Sequence, residues 1–387
     1  MRAEAATFRE HFPICQDSVH LCSCSEGALS DRVMVAMSEF MTSWRVDAAP
    51  WETWIEEVDR ARQQFARLIH AEASDVAVVS CASEGAFHVA WDQYFTEQRP
   101  VIVTTDLEFP SVAHVWLAAQ NRGAKVQFVA HHNGTVETAQ YLQAITSHTA
   151  LVSVPLVSYA NGFRFPVKEV AQLAHENGAR VFVDAYQGAG VIPIDVNTLN
   201  CDYLVSGALK YLLGAPGIAF LWVRPGMQRG TDPALTGWFA RTNPFDFNPQ
   251  VLDYPTDARR FQTGTPAIPA AYAATAGMSL LNEIDPDTVF HHVETLAGQL
   301  QEMVVELGYR LYSPSIPSQR GPQVSVLVED AEDLAIFLKA RRIFVSPRGN
   351  AIRMSLHLYN NQDDLEQAIH ALAEYRKFSP RHSVSPL

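Results

Sequence analysis

From Val76 onward the chain alternates between short, nearly continuous apolar runs and longer stretches in which apolar residues recur every three or four positions. The runs are VAVVS (76–80), VIVTT (101–105), VQFVA (126–130), LVSVP (151–155), VFVD (181–184), YLVS (203–206) and IAFLWV (218–223). Their shortness and β-branched content predict strands buried on both faces. Between them, EGAFHVAWDQYF (84–95), SVAHVWLAAQNRG (111–123) and VKEVAQLAHENG (167–178) have helical spacing, the last stopped by Gly178. This alternation predicts an α/β fold: a mainly parallel seven-stranded sheet flanked by helices.

Ahead of this block, WETWIEEVDRARQQFARLI (51–69) reads as a long amphipathic helix. Behind it, residues 236–269 are rich in aromatic residues, Pro and Asp without periodicity, the signature of a long ordered loop. Helices follow near 270–284 and 288–307. The tail then gives strand 323–329, helix 331–342, strand 351–357 and helix 362–377, a small α+β unit. The expected organisation is an N-terminal segment (1–30) packing on a small C-terminal α+β domain (271–387), with a large α/β domain (31–270) between them.

Composition narrows the function. Net charge is −13 with no Lys/Arg cluster, so no nucleic-acid partner is expected. No apolar run nears the ~20 residues that span a bilayer, and MRAEAATFREHFPICQ lacks a secretory apolar core. The expectation is a cytoplasmic protein with no membrane partner. The five cysteines form no disulfide framework. Cys22 and Cys24 lack the CxxC spacing and second pair of a zinc site, so they read as buried or loop thiols and no metal is expected.

Ligands of open α/β sheets bind beyond the carboxyl ends of the strands. At those ends stand Cys81-Ala82-Ser83-Glu84-Gly85, Asp106-Leu107-Glu108-Phe109-Pro110, Asp184, and Gly207-Ala208-Leu209-Lys210. Asp184 and Lys210 each follow an apolar strand, 26 residues apart. Two readings fit: a buried salt bridge, or a pyridoxal phosphate site. In the second, the lysine forms a Schiff base with the cofactor aldehyde, an Asp pairs with the pyridinium nitrogen, and Gln187 reaches the phenolic oxygen. Ser83, opening a helix, offers a hydroxyl and free backbone N–H groups to a phosphate. CASEG joins a strand to a helix as a hydrolase nucleophile elbow does, but its first glycine is Cys81 and no Asp…His order follows. Neither G-x-G-x-x-G nor a Walker A motif occurs.

Taken together, these residues resemble the class V, fold-type I pyridoxal-phosphate enzymes: cysteine desulfurases, selenocysteine lyases, kynureninases and isopenicillin N epimerase-like proteins. VDAYQGAGVIPIDV is similar to the family's V-D-A-x-Q strand, which implies Asp184 as pyridinium partner and Gln187 as phenolate partner. DYLVSGALKYLLGAPGIAFLWV resembles the Schiff-base segment, with Lys210 the catalytic lysine. CASEG matches the phosphate turn, with Ser83 and Glu84. EFPSVAH resembles the kynureninase segment whose Phe, here Phe109, stacks on the cofactor, and Tyr159 in VSYANG is again kynureninase-like. AIRMSLHLYNNQDDL resembles the segment whose Arg, here Arg353, binds the substrate carboxylate. GWFARTNPFDF and RRFQTGTP add Trp238 as a pocket residue. They also add Thr265 as a residue reaching the partner's cofactor phosphate, which implies a homodimer with sites at the interface.

Three departures are informative. Desulfurases carry S-x-H-K, whose Ser and His help hold phosphate and ring; here Gly207-Ala208-Leu209 precede Lys210 and Ser206 is displaced by one position, so the phosphate anchor is lighter. Kynureninases carry Tyr at Leu209. No cysteine follows Cys201, which argues against a persulfide-forming desulfurase. The resemblance implies an enzyme that takes an α-amino acid through an external aldimine and a carbanion and cleaves a C–S or C–C bond of its side chain. A class V aminotransferase or amino-acid epimerase is the alternative, and a non-catalytic cofactor-binding protein is the reading of another class. Trp54 fits the core; Arg164 and Arg348 fit either a second acidic substrate group or the surface; His131-His132 reads as a turn.

Overall fold

A computed structural model describes residues 2–93, 95–227 and 232–378. All seven apolar runs enter one sheet: β1 (Val76–Val79), β2 (Val101–Thr105), β3 (Lys125–Val129), β4 (Thr149–Pro155), β5 (Arg180–Asp184), β6 (Tyr203–Gly207) and β7 (Ala219–Val223). The spatial order is β1-β7-β6-β5-β4-β2-β3. Strands β6 through β3 are parallel, and only β7 runs against its neighbours β1 and β6. The fold is therefore α/β with a mostly parallel sheet. The expectation of two buried faces fails at β3, which edges the sheet and exposes Lys125, Gln127 and Phe128. A strand with a neighbour on one side only leaves the outer helix layer behind.

Helices follow the spacing with shifted ends. Ala82–Asp92 starts two residues early, bringing Ser83 into its first turn, and stops before Tyr94, which lies outside the described residues. Pro110–Ala118 passes into a 3₁₀ turn, Ala119–Arg122, and ends at Gly123 with φ +91°. The loop expected at 236–269 holds three short 3₁₀ helices and gives way to the helix Ile268–Asn282 at its end. The helix Asp31–Asp47 is the main element the pattern conceals. It buries Val33, Ala36 and Phe40 while exposing Met34, Val35, Met41, Trp44 and Val46, so apolar residues on both sides blur its period.

The C-terminal unit is a four-stranded antiparallel sheet with Gln323–Leu327 and Ala351–Ser355 at its centre. The short N-terminal strand Val19–His20 pairs in parallel with Ile343–Phe344, tying the start of the chain to this unit. Residues 379–387, the end of the expected small domain, lie outside the described residues. The helix Ile268–Asn282 packs on Asp31–Asp47 and Trp51–Leu68. No helix among the described residues is long and apolar enough to cross a membrane.

The helix Ile268–Asn282 also supports the segment just past Lys210. A Cβ at Gly277 would lie 2.5 Å from the Leu213 carbonyl oxygen, a backbone contact that cannot rotate away. Gly277→Ala should therefore destabilise the protein by about 1–3 kcal/mol. Gly264→Ala, where nothing lies within 4 Å, should change little. Urea denaturation of the two variants measures the difference.

Candidate active site

Strands β1, β2, β5 and β6 deliver their carboxyl ends to one edge of the sheet. Lys210 stands three residues beyond β6 and is the one buried lysine of the five in the sequence; Lys125, Lys168, Lys339 and Lys377 are exposed. Its Nζ lies 5.2 Å from the Phe109 ring centroid and 4.3 Å from that of Tyr186. Burial brings its pKa down to about 8, against the opposing pull of Asp184. Among the described residues no hydrogen bond or ion pair takes up this ammonium, so the plain salt-bridge reading of Lys210 and Asp184 does not hold.

Asp184 ends β5 fully inside the protein, its Oδ1 accepting the Tyr186 N–H at 2.9 Å. Desolvation raises its pKa, while that N–H and the charge of Lys210 hold it down. A second carboxyl, Glu108, is buried alongside. It accepts from the Phe109 N–H and the Ser153 hydroxyl, each at 2.9 Å, and burial plus the charge of Asp184 push its pKa up to about 8. Two adjacent buried carboxyls do not both ionise. The one beside the ammonium keeps the charge, and Glu108 keeps the proton.

Phe109 and Tyr159 meet edge to face with centroids 5.1 Å apart. They line a small cavity with Glu108, Asp184, Tyr186, Gln187 and Lys210. Arg353, buried on its strand, donates to the Tyr159 carbonyl at 2.9 Å and to the Ser25 hydroxyl at 3.3 Å, and its Nε is buried without a partner. Gln187 donates to the Cys24 carbonyl at 3.1 Å, and its Oε1 is likewise buried and unpaired. Gly27 N–H donates to the Leu209 carbonyl at 3.0 Å. The N-terminal segment 22–27 thus closes the site from behind.

The structure gathers Phe109, Tyr159, Asp184, Gln187, Lys210 and Arg353. Ser83, half-buried in the first turn of Ala82–Asp92, stands at the same sheet edge. The Glu84 carboxylate turns back on its own strand: it accepts from the Ser80 N–H at 2.7 Å, from the Ser80 hydroxyl and from Thr263 Oγ1 at 2.9 Å. Against burial, His88 one turn on and then these bonds bring its pKa down to about 2, and the bonds tie the turn to the following loop. Thr265 on that loop is exposed. Trp238 packs among Trp51, Phe239, Phe245 and Phe247, an aromatic cluster of its own. Sequence reasoning passed over Glu108, Tyr186, Cys24 and Ser25. Only Glu108 left a signal, a carboxylate just past the apolar strand β2.

Comparison with known proteins gives a consistent picture. The model of the class-V aminotransferase family matches residues 27–368. An uncharacterized aminotransferase, YcbU, of Bacillus subtilis is 37% identical over 95% of this chain and 96% of its own length. A kynureninase of Deinococcus radiodurans is 26% identical over 82% of this chain and 79% of its own. The apo structure of a cysteine desulfurase from Thermococcus onnurineus superposes with a TM-score of 0.87 at 23% identity, covering 96% of this chain and 98% of that one.

Two measurements probe the buried charges. Reductive alkylation with a small aldehyde should mark Lys210 ahead of the exposed lysines, its rate levelling off above pH about 8 while theirs continues to climb. Peptide mass spectrometry reads both profiles, and a common profile would contradict the site. Glu108 binds a proton in the folded state that the unfolded polypeptide releases between the ordinary carboxyl range and pH about 8, so stability falls as pH rises through that window. Glu108→Gln should remove this slope. Its melting temperature relative to wild type should be higher at pH 9 than at pH 5, and an offset independent of pH would count against the shared proton.

Proposed function

The chain belongs to the class-V aminotransferase family, and from that premise we propose that it is a pyridoxal-phosphate enzyme acting on an α-amino acid, cleaving a C–S or C–C bond of the side chain. The observation that carries the reading is Lys210: a buried amine near neutrality, faced by two aromatic rings, with an ionised carboxylate behind it. The residues fit the cofactor. Gln187 keeps its amide oxygen and second N–H for a partner, Phe109 offers a ring face, and the first turn of Ala82–Asp92 offers backbone N–H groups and the Ser83 hydroxyl to a phosphate.

When bound, pyridoxal phosphate supplies an aldehyde that an amine holds covalently and a protonated ring that draws electrons from the substrate. Lys210 would hold the cofactor through its aldehyde and, when free, would serve as general base at the α carbon; a pKa of about 8 suits that task. Asp184 would pair with the ring nitrogen and favour its protonated form, and a neutral Glu108 would leave that negative charge single. Arg353 binds the substrate carboxylate: its two engaged Nη atoms fix the guanidinium plane, and its Nε remains to donate. The walls of Phe109 and Tyr159 exclude water from the reacting bond. No cysteine follows Cys201, so the loop before Arg353 offers no thiol to carry a persulfide.

The reading includes a homodimer. Met34, Val35, Met41, Trp44 and Val46 present apolar surface on Asp31–Asp47, and the exposed Thr265 would complete a second subunit's phosphate site. The relative YcbU, called an aminotransferase, favours a second reading in which the amino group is transferred and the side chain kept.

Incubation with α-amino acids carrying a sulfur leaving group on the β carbon should release pyruvate, ammonia and a thiol, and with those carrying a β-acyl group should release alanine and a carboxylic acid, in each case without an amino acceptor. Accumulation of a keto acid only when an amino acceptor is supplied would establish the transaminase instead. In either case Lys210→Ala should lose the visible absorption of the bound cofactor and about 10²–10⁴-fold in turnover; retention of both would refute the assignment.

A further inference from the structure

Gly207 closes β6 beside the end of β5, and the two strands are paired up to Asp184–Val205. A Cβ on Gly207 would sit 2.2 Å from Cζ of Tyr186 and 2.3 Å from its hydroxyl oxygen. The phenol therefore fills the volume that any side chain at 207 would take. Real Cβ atoms do not approach so closely, so Tyr186 and a larger residue at 207 exclude each other in this arrangement.

The hydroxyl is also aimed usefully. The Tyr186 ring lies under Lys210, with Nζ 4.3 Å from its centroid. The Leu209 N–H donates to the phenolic oxygen, and Cys81, which precedes the helix Ala82–Asp92, lies near enough to be felt electrostatically by the same hydroxyl. A phenol that accepts from a backbone N–H retains its own proton to donate. Burial pushes its pKa up to about 12, so that proton stays on at neutral pH. The hydroxyl thus lies between the end of β6 and the helix N-terminus, where backbone N–H groups favour an anion. Gly207, Ala208 and Leu209 contribute no side-chain donor there.

We propose that Tyr186 is a ligand of the cofactor phosphate, its hydroxyl standing in for the side-chain donor that Gly207 lacks. The proposal rests on the functional reading above, and it makes the pair 186/207 a matched exchange: a large hydroxyl-bearing residue on β5's exit with no side chain on β6's end.

The test is equilibrium binding to the hydroxylamine-treated apoenzyme, followed by visible absorbance, with pyridoxal phosphate and with pyridoxal, which lacks the phosphate. Tyr186→Phe should bind pyridoxal phosphate about ten- to a hundredfold more weakly, the range for a hydrogen bond to a charged group, and bind pyridoxal as the wild type does. Gly207→Ser alone should weaken pyridoxal phosphate binding, because the serine meets the phenol. Placed in a Tyr186→Ala background, it should bind more tightly than Tyr186→Ala itself. Equal affinity of wild type and Tyr186→Phe for pyridoxal phosphate, or equal losses for both ligands, would overturn this assignment alone. Failure of the wild type to bind either ligand would sink the functional reading with it.

Discussion

An ammonium and a carboxylate are buried in the same pocket and held apart. In a dry interior opposite charges are drawn together, and a direct pair between Lys210 and Asp184 would be the lowest-energy use of both. The fold prevents it. Asp184 is pinned at the end of β5 by the Tyr186 N–H, while Lys210 comes from beyond β6 and rests against Phe109 and Tyr186. Each group is left under-satisfied, and each is thereby ready for a third molecule. The proton on Glu108 is part of the same balance, because a second negative charge at that depth would find no counter-ion.

Much of this was legible in the sequence, for a physical reason. Buried parallel strands need continuous β-branched runs, so the seven strands announced themselves, and any charged residue at the end of such a run stood out. Asp184 and Lys210 stand out in this way. Phe109, Tyr159 and Arg353 came from motif likeness rather than from periodicity; the first two line the same cavity, and Arg353 donates to the Tyr159 carbonyl behind it. What stayed hidden depends on contacts distant in sequence. Ser25 meets Arg353 from 328 positions away, and Cys24 meets Gln187 from 163. Tyr186 looked like an arbitrary residue in the strand motif until the void at Gly207 gave it a place to go. Trp238, in an irregular loop where periodicity says nothing, has its ring against Trp51 and Phe247, contacts that the sequence did not indicate.

Glu84 and Glu108, two carboxylates in equivalent places beyond strands of the large sheet, have opposite fates. His88, two groups of Ser80 and the Thr263 hydroxyl face Glu84, and together they keep it ionised. Glu108 has two donors but also a charged neighbour, and it turns neutral. Donor count and neighbouring charge decide protonation here, not depth alone.

Gly27 lies so close to the lysine loop that a Cβ there would stand 2.4 Å from the Lys210 carbonyl oxygen. Backbone therefore abuts backbone, and residues 22–27 serve as the rear wall of the pocket. Yet the strand just before them, Val19–His20, pairs with Ile343–Phe344 and is held by Tyr359 and Asn360, all more than three hundred positions downstream. On the ribosome the first part of the wall to emerge must wait, unpaired, for a strand made far later. A nascent polypeptide that already holds the whole large sheet still lacks a finished pocket, and competence to react arrives only once the C-terminal unit has followed it out.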